Sequence, residues 1–295
     1  MVTDSAARPT RPPRSESREA LELQSLREQH PELTGAVDMH LELLALLRRI
    51  QGRVTLPMLD LSPDTLRRHQ TEARPLLRFE DIPLDLSDLR LMVRQTADVL
   101  RRFGALEQAD YDKAQSLGRD MQLLATVGSW YRTASERQLA VASVAAVPAS
   151  DLGDDTALGQ VIALAMRPFL SRCAEVLQQR PELANWTHAH CALCGGEPDL
   201  AVITPSAERH LICGRCSLRW KFESLTCPYC RNSDRSRITS FATTDGKYRV
   251  YACDVCQRYL KAYDGRRATR PVMPIVDSVA TLPLDAAAMQ RGYTS

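Results

Sequence analysis

The sequence contains neither a long hydrophobic run nor a strong excess of charge of one sign. Its longest nearly apolar stretch, residues 139–149, is interrupted by Ser143 and Pro148, whereas a membrane-spanning helix needs roughly 20 apolar residues. The basic N-terminus has no apolar run behind it, so it does not resemble a secretory signal. With 44% hydrophobic and 25% charged residues, the 295-residue chain has a globular composition, and we expect it in the cytoplasm.

Motifs of several enzyme classes are also missing. Up to residue 186 there is no glycine-rich phosphate loop, no serine nucleophile elbow and no His-Glu-x-x-His helix. We therefore predict no catalytic residues, and we expect this half of the chain to be a helical scaffold with a packing core.

Cysteine, in contrast, is concentrated in one region. All but one of the cysteines fall in the segment 191–256, as Cys-x-x-Cys pairs. Because thiols are kept reduced in the cytoplasm, such pairs indicate metal ligation or redox chemistry rather than a disulfide framework. The pairs are Cys191 with Cys194, Cys213 with Cys216, Cys227 with Cys230, and Cys253 with Cys256.

The spacing of the pairs predicts two metal sites in tandem. Successive pairs are separated by the linkers 195–212, 217–226 and 231–252, and the middle linker is too short to fold a hairpin back comfortably. We therefore expect the first two pairs to form site 1 and the last two to form site 2, each holding one ion on four thiolates. A cross-braced arrangement, the first pair with the third, is the alternative. Zinc and a single iron both suit four thiolates, so the set of ligands does not indicate which metal is bound.

The third pair also fits a different chemistry. Cys227-Pro-Tyr-Cys230 is the active-site string of glutaredoxins, in which a lowered thiol pKa serves disulfide exchange. That string normally opens a helix, but here Arg-Asn-Ser-Asp-Arg-Ser-Arg follows, without an apolar helical stripe. Three sister pairs surround it, so we favour metal ligation.

Local patterns predict an α+β protein with a mainly α-helical N-terminal domain. Apolar residues recur at helical spacing over 85–103, with Ser87 as a cap and Gly104 as a stop, and over 156–179, where Pro168 interrupts the helix. Segments 107–127 and 135–147 are also helix-like, and prolines 57, 63, 75 and 83 mark a looser stretch. After Trp186 short strand-like runs follow, at 200–203, 210–212, 218–222, 238–242, 248–252 and 259–263.

These patterns divide the chain into five parts. Residues 1–16 are predicted to be a disordered tail and 17–186 the helical domain. Two tandem rubredoxin-like or zinc-ribbon modules with short antiparallel strands follow at 187–226 and 227–268, and 269–295 form a C-terminal segment with a short helix. Such small modules bury little apolar surface, so metal binding should supply much of their folding energy. Chelation is expected to unfold 187–268 and leave the helical domain largely intact.

Several other side chains have more than one possible use. Cys173 lies on an apolar helix face and is predicted to be buried. Histidines 188 and 190 precede the first pair and are expected at the surface or behind the ligands, because eight cysteines already fill two sites. Packing over the knuckles is the expected use of Trp186, Trp220, Tyr251 and Tyr259, and base stacking is the alternative. A solvated loop is expected for Arg231, Arg235 and Arg237, and contact with an anionic partner is the alternative.

Short motifs accompany the cysteine pairs. Trp186 precedes Cys191-Ala-Leu-Cys194-Gly195 and Pro198, Trp220 precedes Cys227, and the last pair continues as Cys253-x-x-Cys256-x-x-Tyr259-Leu260-Lys261. Other motifs are Arg167-Pro168-Phe169-Leu170, Thr281-Leu282-Pro283-Leu284-Asp285 and Gly292-Tyr293. Over roughly residues 156–293, this combination resembles the FdhE family of formate dehydrogenase accessory proteins.

The resemblance implies a role in maturation rather than catalysis. It implies a cytoplasmic accessory protein that binds the catalytic subunit of a respiratory formate dehydrogenase before export through the twin-arginine pathway. It also favours rubredoxin-type iron over zinc in both sites. We expect no membrane insertion.

Two other functions stay open at this point. A zinc-ribbon nucleic-acid-binding protein is the first, although residues 187–268 carry only 13 Lys and Arg against 8 Asp and Glu, and bound metal thiolates would reduce that excess. A rubredoxin-like electron carrier or thiol redox protein is the second.

Overall fold

The computed structural model describes residues 17–143, 156–178, 180 and 185–294. The predicted disordered tail and the end of the helix-like segment 135–147 lie outside the described residues. Helices occupy the described part before the cysteine region, as predicted. They are α1 (Arg18–Gln29), α2 (Thr34–Gln51), α3 (Pro63–Thr71), α4 (Leu86–Arg102), α5 (Gln108–Leu117), α6 (Leu123–Ser143) and α7 (Ala157–Ala174).

Helices α4 and α7 form the centre of the helical domain, and both were predicted from periodicity. The cap of α4 differs from the prediction: Asp85, not Ser87, accepts a hydrogen bond from the Asp88 backbone at 2.9 Å. Gly104 ends this region with a φ of 71°, which an L-residue adopts only with strain. Helix α7 ends at Ala174, before the predicted end at residue 179, and it continues through Pro168 instead of being interrupted there.

The proline-rich stretch between α2 and α4 is more regular than predicted. It contains α3, which begins at Pro63 behind a Ser62 cap, and a short 3-10 helix at Phe79–Asp81. Proline is favourable in the first helical turn, where its missing N–H costs nothing. The prediction of a loose stretch was therefore wrong over α3.

One six-stranded sheet contains the strands of both cysteine modules, and all six predicted strand-like runs are confirmed. Its strand order is β3-β2-β1-β6-β5-β4. The pairs within each module are antiparallel, but β1 and β6 pair in parallel, from Leu200 with Lys261 to Ile203 with Asp264. The strands are β1 (Pro198–Ile203), β2 (Arg209–Cys213), β3 (Arg219–Phe222), β4 (Ile238–Ala242), β5 (Tyr248–Cys253) and β6 (Arg258–Asp264).

The C-terminal segment contains two short helices where one was expected, α8 (Pro274–Ala280) and α9 (Leu282–Met289). Helix α8 and the residue before it place Met273, Val276 and Val279 in one core with Leu23, Leu33, Val37 and Leu44 of the first helices. Helix α9 packs Leu284 and Ala288 on the sheet, against Tyr248 and Val250 among others. The segment therefore covers both the helical domain and the second module.

Membrane insertion has no candidate helix in the described part of the chain. No helix there is long and apolar enough to cross a bilayer.

These elements confirm the predicted α+β class with zinc-ribbon-like modules. The domain boundaries at 186/187 and 226/227 stay a prediction. Because strands of both modules share one sheet, the second boundary is a change of module and not a break in the sheet.

Candidate metal centres

The structure brings the eight clustered cysteines together in two groups of four. Within each group, the sulfur atoms all lie within 4.8 Å of one another, and all nine cysteines are free thiols. The grouping is the tandem one, not the cross-braced alternative. The first group is Cys191, Cys194, Cys213 and Cys216, and the second is Cys227, Cys230, Cys253 and Cys256.

The distances between sulfurs fit a tetrahedral ion. In site 1 the sulfurs of Cys191 and Cys216, and of Cys194 and Cys213, are 3.5 Å apart. In site 2 the corresponding distances are 3.7 and 3.6 Å. A metal on four thiolates with bonds of about 2.3 Å requires edges of about 3.8 Å between sulfurs. Each group could therefore hold one metal ion with little rearrangement.

All four knuckles adopt the same turn. The residue after the second cysteine donates its N–H to the carbonyl of the first cysteine, at 2.9 to 3.0 Å. That residue also has a positive φ, between 57° and 71°, although only one of the four is glycine. The residues are Gly195, Ser217, Arg231 and Gln257. Because three non-glycine residues adopt this strained conformation as well, the backbone of every knuckle positions its two cysteines in the same way.

Donors around the sulfurs support the thiolate form. The Arg215 backbone donates to Cys213 Sγ at 3.4 Å, and Asn232 Nδ2 donates to Cys253 Sγ at 3.7 Å. Hydrogen bonds to a charged ligand lower its energy and orient it. The spacing of the cysteines did not reveal Asn232, which follows Cys230 by two residues but donates to a cysteine of the fourth knuckle.

Site 1 lies inside the main hydrophobic core. Its four cysteines are at most 1% exposed and share a core cluster with Trp130, Tyr131 and Phe169 of the helical domain. A Cβ on Gly196 would lie 3.0 Å from Cys213 Sγ, so the close packing leaves no room for a side chain there.

Backbone hydrogen bonds join the first knuckle to the loop after α3. The N–H groups of Leu76 and Leu77 donate to the carbonyls of Ala192 and Leu193, both at 2.9 Å. Tyr131 Oη in turn donates to Leu77 O at 2.8 Å. This loop lies far from the knuckle in sequence, and no sequence signal pointed to the contact.

Arg215 connects the second knuckle to α6. Its guanidinium lies 4.0 Å from the Trp130 ring centroid, and Nη1 donates to Tyr131 O at 3.4 Å. The side chain is 5% exposed. The cation–π contact and the hydrogen bond fasten site 1 to the helical domain.

The two histidines before the first knuckle belong to neither group of four cysteines, and neither is fully solvated. His188 Nε2 and His190 Nε2 lie 2.7 and 2.9 Å from the carbonyls of Gln70 and Ala73. Burial lowers the pKa of His190 to about 4, so its ring is neutral at neutral pH. They attach the first module to the helical domain, and the predicted place behind the ligands stays a prediction.

Site 2 is more exposed than site 1, and the last described residues of the chain contact it. Cys230 and Cys256 are half-buried, and Val255 between two ligands is 50% exposed. Tyr293 Oη donates to Asp254 Oδ1 at 2.6 Å, and Thr294 N donates to Gln257 O at 2.8 Å. The C-terminal segment thus touches the fourth knuckle directly.

Without a metal, burial opposes ionisation of most of these thiols. It raises the pKa of Cys191 and Cys216 well above the usual range and that of Cys227 to about 11. Hydrogen bonds from the neighbouring thiols hold the pKa of Cys194 well below its usual range. A divalent ion binds thiolates, so metal binding to these groups must release protons.

The remaining predicted residues are mostly structural. Cys173 is fully buried, as predicted, and burial raises its pKa to about 12. Trp186 and Trp220 are buried and donate their indole N–H groups to His190 O and His188 O. Tyr259 is buried as well, and Tyr251 is half-buried. Arg235 and Arg237 are exposed, as expected, but they form a 3-10 helix, Arg235–Arg237, and not a loop.

Fold and site together define a class: a helical domain joined to two four-cysteine modules that share one sheet. No protein-family model matches the chain. A crystal structure of the FdhE protein from Pseudomonas aeruginosa has the same fold, with a TM-score of 0.58, 20% identity, and coverage of 94% of this chain and 92% of that chain.

Sequence relatives point to the same proteins. The FdhE homologue of Shewanella oneidensis is 30% identical over 107 residues, 35% of each chain. That of Haemophilus ducreyi is 27% identical over 133 residues, 44% of this chain and 43% of the relative. An Escherichia coli FdhE is 28% identical over 107 residues, 35% of this chain and 34% of the relative. The matched stretches span less than half of these relatives. These findings confirm the resemblance to the FdhE family.

Proposed function

We propose that this chain is an accessory protein for the maturation of formate dehydrogenase and performs no catalysis itself. The observation that carries the proposal is the similarity to FdhE proteins from three organisms. The two four-cysteine groups agree with it, because a four-thiolate tetrahedron has no open position for a metal-bound nucleophilic water.

The proposal assigns one metal ion to each cysteine group. Rubredoxin-type iron is the favoured metal, with zinc as the alternative, because the resemblance favours iron and four thiolates accept either. The eight cysteines are the proposed ligands, and no ninth ligand is needed. The buried setting of site 1 supports a structural ion there.

The proposed partner is the catalytic subunit of a respiratory formate dehydrogenase. Binding would occur in the cytoplasm, before that subunit leaves through the twin-arginine pathway. Support comes from the family resemblance, and site 2 offers the more accessible of the two metal sites for such a contact.

A pull-down from cell extract tests the partner. The bait is the intact protein, with Cys227→Ala as the variant of site 2 and Cys173→Ala as a control that removes a thiol outside both sites. We expect the intact protein and the control to capture a formate dehydrogenase large subunit, identified by mass spectrometry. Recovery of nucleic acid alone, with steep dependence on salt, would overturn the proposal.

Metal analysis of the same samples tests the sites. We expect about two metal ions per chain in the intact protein and in Cys173→Ala, and about one in Cys227→Ala. A reversible change of visible absorption on reduction identifies iron, whereas a colourless loaded protein identifies zinc. Two ions in Cys227→Ala would contradict the assignment of site 2.

A further inference from the structure

Arg209 is a buried cation in the first module. It lies on β2 and is 5% exposed. Its Nη2 donates to the carbonyl oxygens of Glu223 and Thr226, whereas its Nε has no hydrogen-bond partner among the described residues. Its guanidinium also lies 5.3 Å from the Phe222 ring centroid.

This side chain lies where the first module meets site 2 of the second. Thr226, whose carbonyl accepts from Arg209, is the residue directly before Cys227. A small cavity beside site 2 is lined by Arg209 together with Cys227 and Cys253. Arg209 therefore lines the same small cavity as two of the four cysteines that would hold the ion.

No carboxylate among the described residues forms an ion pair with Arg209. The nearby Glu223 carboxylate instead accepts a hydrogen bond from Thr226 Oγ1 at 2.7 Å. Burial lowers the pKa of Arg209 to about 10, so the group is still charged at neutral pH. A buried charge is costly unless an opposite charge lies close to it.

Site 2 with a bound metal ion would supply the negative charge that is opposite to the guanidinium of Arg209. A divalent ion on four thiolates carries a net charge of about −2, and a ferric ion about −1. We propose that Arg209 is a positioning residue for site 2. Through Thr226, Arg209 holds the knuckle from Cys227 to Cys230, and its charge balances the negative charge of the metal–thiolate complex. Loading of site 2 then depends on a side chain of the first module.

The neighbouring arginine of site 2 has a different arrangement. Arg258 lies 3.6 Å from the Tyr229 ring centroid and pairs with Glu197 at 2.8 Å, so a carboxylate already balances its charge. Lys221 on β3 pairs with Glu208 at the surface. Lys221 is therefore a matched control on the same sheet, because its removal also deletes one positive charge.

The experiment uses the intact protein loaded with zinc. A chelator is added in increasing concentration, cysteines are alkylated, and peptide mass spectrometry reports site 1 and site 2 separately. The variants are Arg209→Met, which fills the buried space without charge, Arg209→Lys, which keeps the charge, and Lys221→Gln. Circular dichroism of each loaded variant checks the fold.

We expect Arg209→Met to release zinc from site 2 at a chelator concentration on the order of tenfold lower, as for other groups that support metal ligands. Arg209→Lys should recover most of the loss, Lys221→Gln should match the unchanged protein, and site 1 should respond alike in all variants. If Arg209→Met does not fold, Arg209→Gln replaces it as the neutral variant.

Two results would overturn the inference. Equal release from site 2 in Arg209→Met and the unchanged protein would remove the charge role. Equal weakening of both sites would indicate a general loss of stability. The inference rests on metal binding at site 2, which is part of the proposed function. If zinc never protects site 2 in the unchanged protein, metal binding there fails, which is distinct from failure of the role of Arg209.

Discussion

The two candidate metal sites have the same four-cysteine geometry but different surroundings. Every knuckle has the same turn and the same positive φ after its second cysteine. Site 1 nevertheless lies in the core of the helical domain, whereas two ligands of site 2 are half-exposed. The local Cys-x-x-Cys turn therefore sets the geometry of the cysteines, while the surrounding packing decides which helices and strands depend on a bound metal ion for their stability.

Loss of a ligand should have the largest effect at site 1. We expect Cys216→Ala to reduce hydrogen-exchange protection in α4 and α7 as well as in β1 to β3, because their side chains share one core with the site. Cys256→Ala should lower protection in β4 to β6 and spare α4 and α7. Equal profiles of the two variants, measured by exchange mass spectrometry, would show that the helical core does not depend on site 1 more than on site 2.

Chelation should therefore affect more than the modules. The sequence predicts that removal of metal unfolds residues 187–268 and leaves the helices intact. With site 1 packed against Trp130 and Phe169, we instead expect complete removal to loosen α4 and α7 too. Protection that stays unchanged in both helices after removal of both ions would support the original expectation.

Replacement of Arg215 should cause the next largest loss of stability. Arg215→Ala removes the cation over Trp130 and the donor to Tyr131 O. We expect a loss of about 3 kcal/mol in the free energy of unfolding of the metal-loaded protein, because the remaining partners stay buried. Arg219→Ala, at an exposed position on β3, is the control. A urea titration in which both variants change alike would refute the assignment.

The two sites should release their metal ions in a fixed order. Because Cys230 and Cys256 are half-exposed and site 1 is at most 1% exposed, a chelator should remove the ion of site 2 first. Stopped-flow measurements with a coloured chelator should show two phases of equal amplitude. The slow phase should disappear in a variant of site 1 that still folds, and the fast phase in Cys256→Ala. Release in a single phase would contradict the difference between the sites.

The contact of the C-terminal segment with site 2 should have the smallest effect. Tyr293→Phe removes the donor to Asp254, which lies between two ligands, and leaves the ring in place. We expect a loss of about 1 kcal/mol or less, together with faster release from site 2 alone. Tyr111→Phe, which removes a surface hydrogen bond to Asp98, is the control. An equal change of release from site 1 would exclude a local effect.

Much of the fold was predictable because its signals are local. The period of apolar residues indicated α4 and α7, and short β-branched and aromatic runs indicated all six strands. The linkers between cysteine pairs indicated the tandem grouping, since the middle linker, 217–226, is too short for a hairpin. The cap of α4 was missed because Asp85 and Ser87 are both good capping residues, and only the backbone path selects one.

The contacts that unite the molecule were not predictable. The parallel pairing of β1 with β6, the hydrogen bonds of Leu76 and Leu77 to the first knuckle, and the double packing of the C-terminal segment all join residues far apart in sequence. Periodicity reports which face of an element is apolar, but it does not report which element covers that face. Arg209 and Arg215 look like ordinary surface residues in the sequence for the same reason.

The spacing of the cysteines was enough to predict the two groups of four, because the turn of a knuckle and the length of a hairpin depend on neighbouring residues. Long-range packing, which the spacing does not report, places site 1 in the helical core and leaves two cysteines of site 2 half-exposed near a buried arginine. Burial and charge balance depend on the whole set of surrounding atoms, so identical Cys-x-x-Cys pairs acquire different surroundings once the chain is folded.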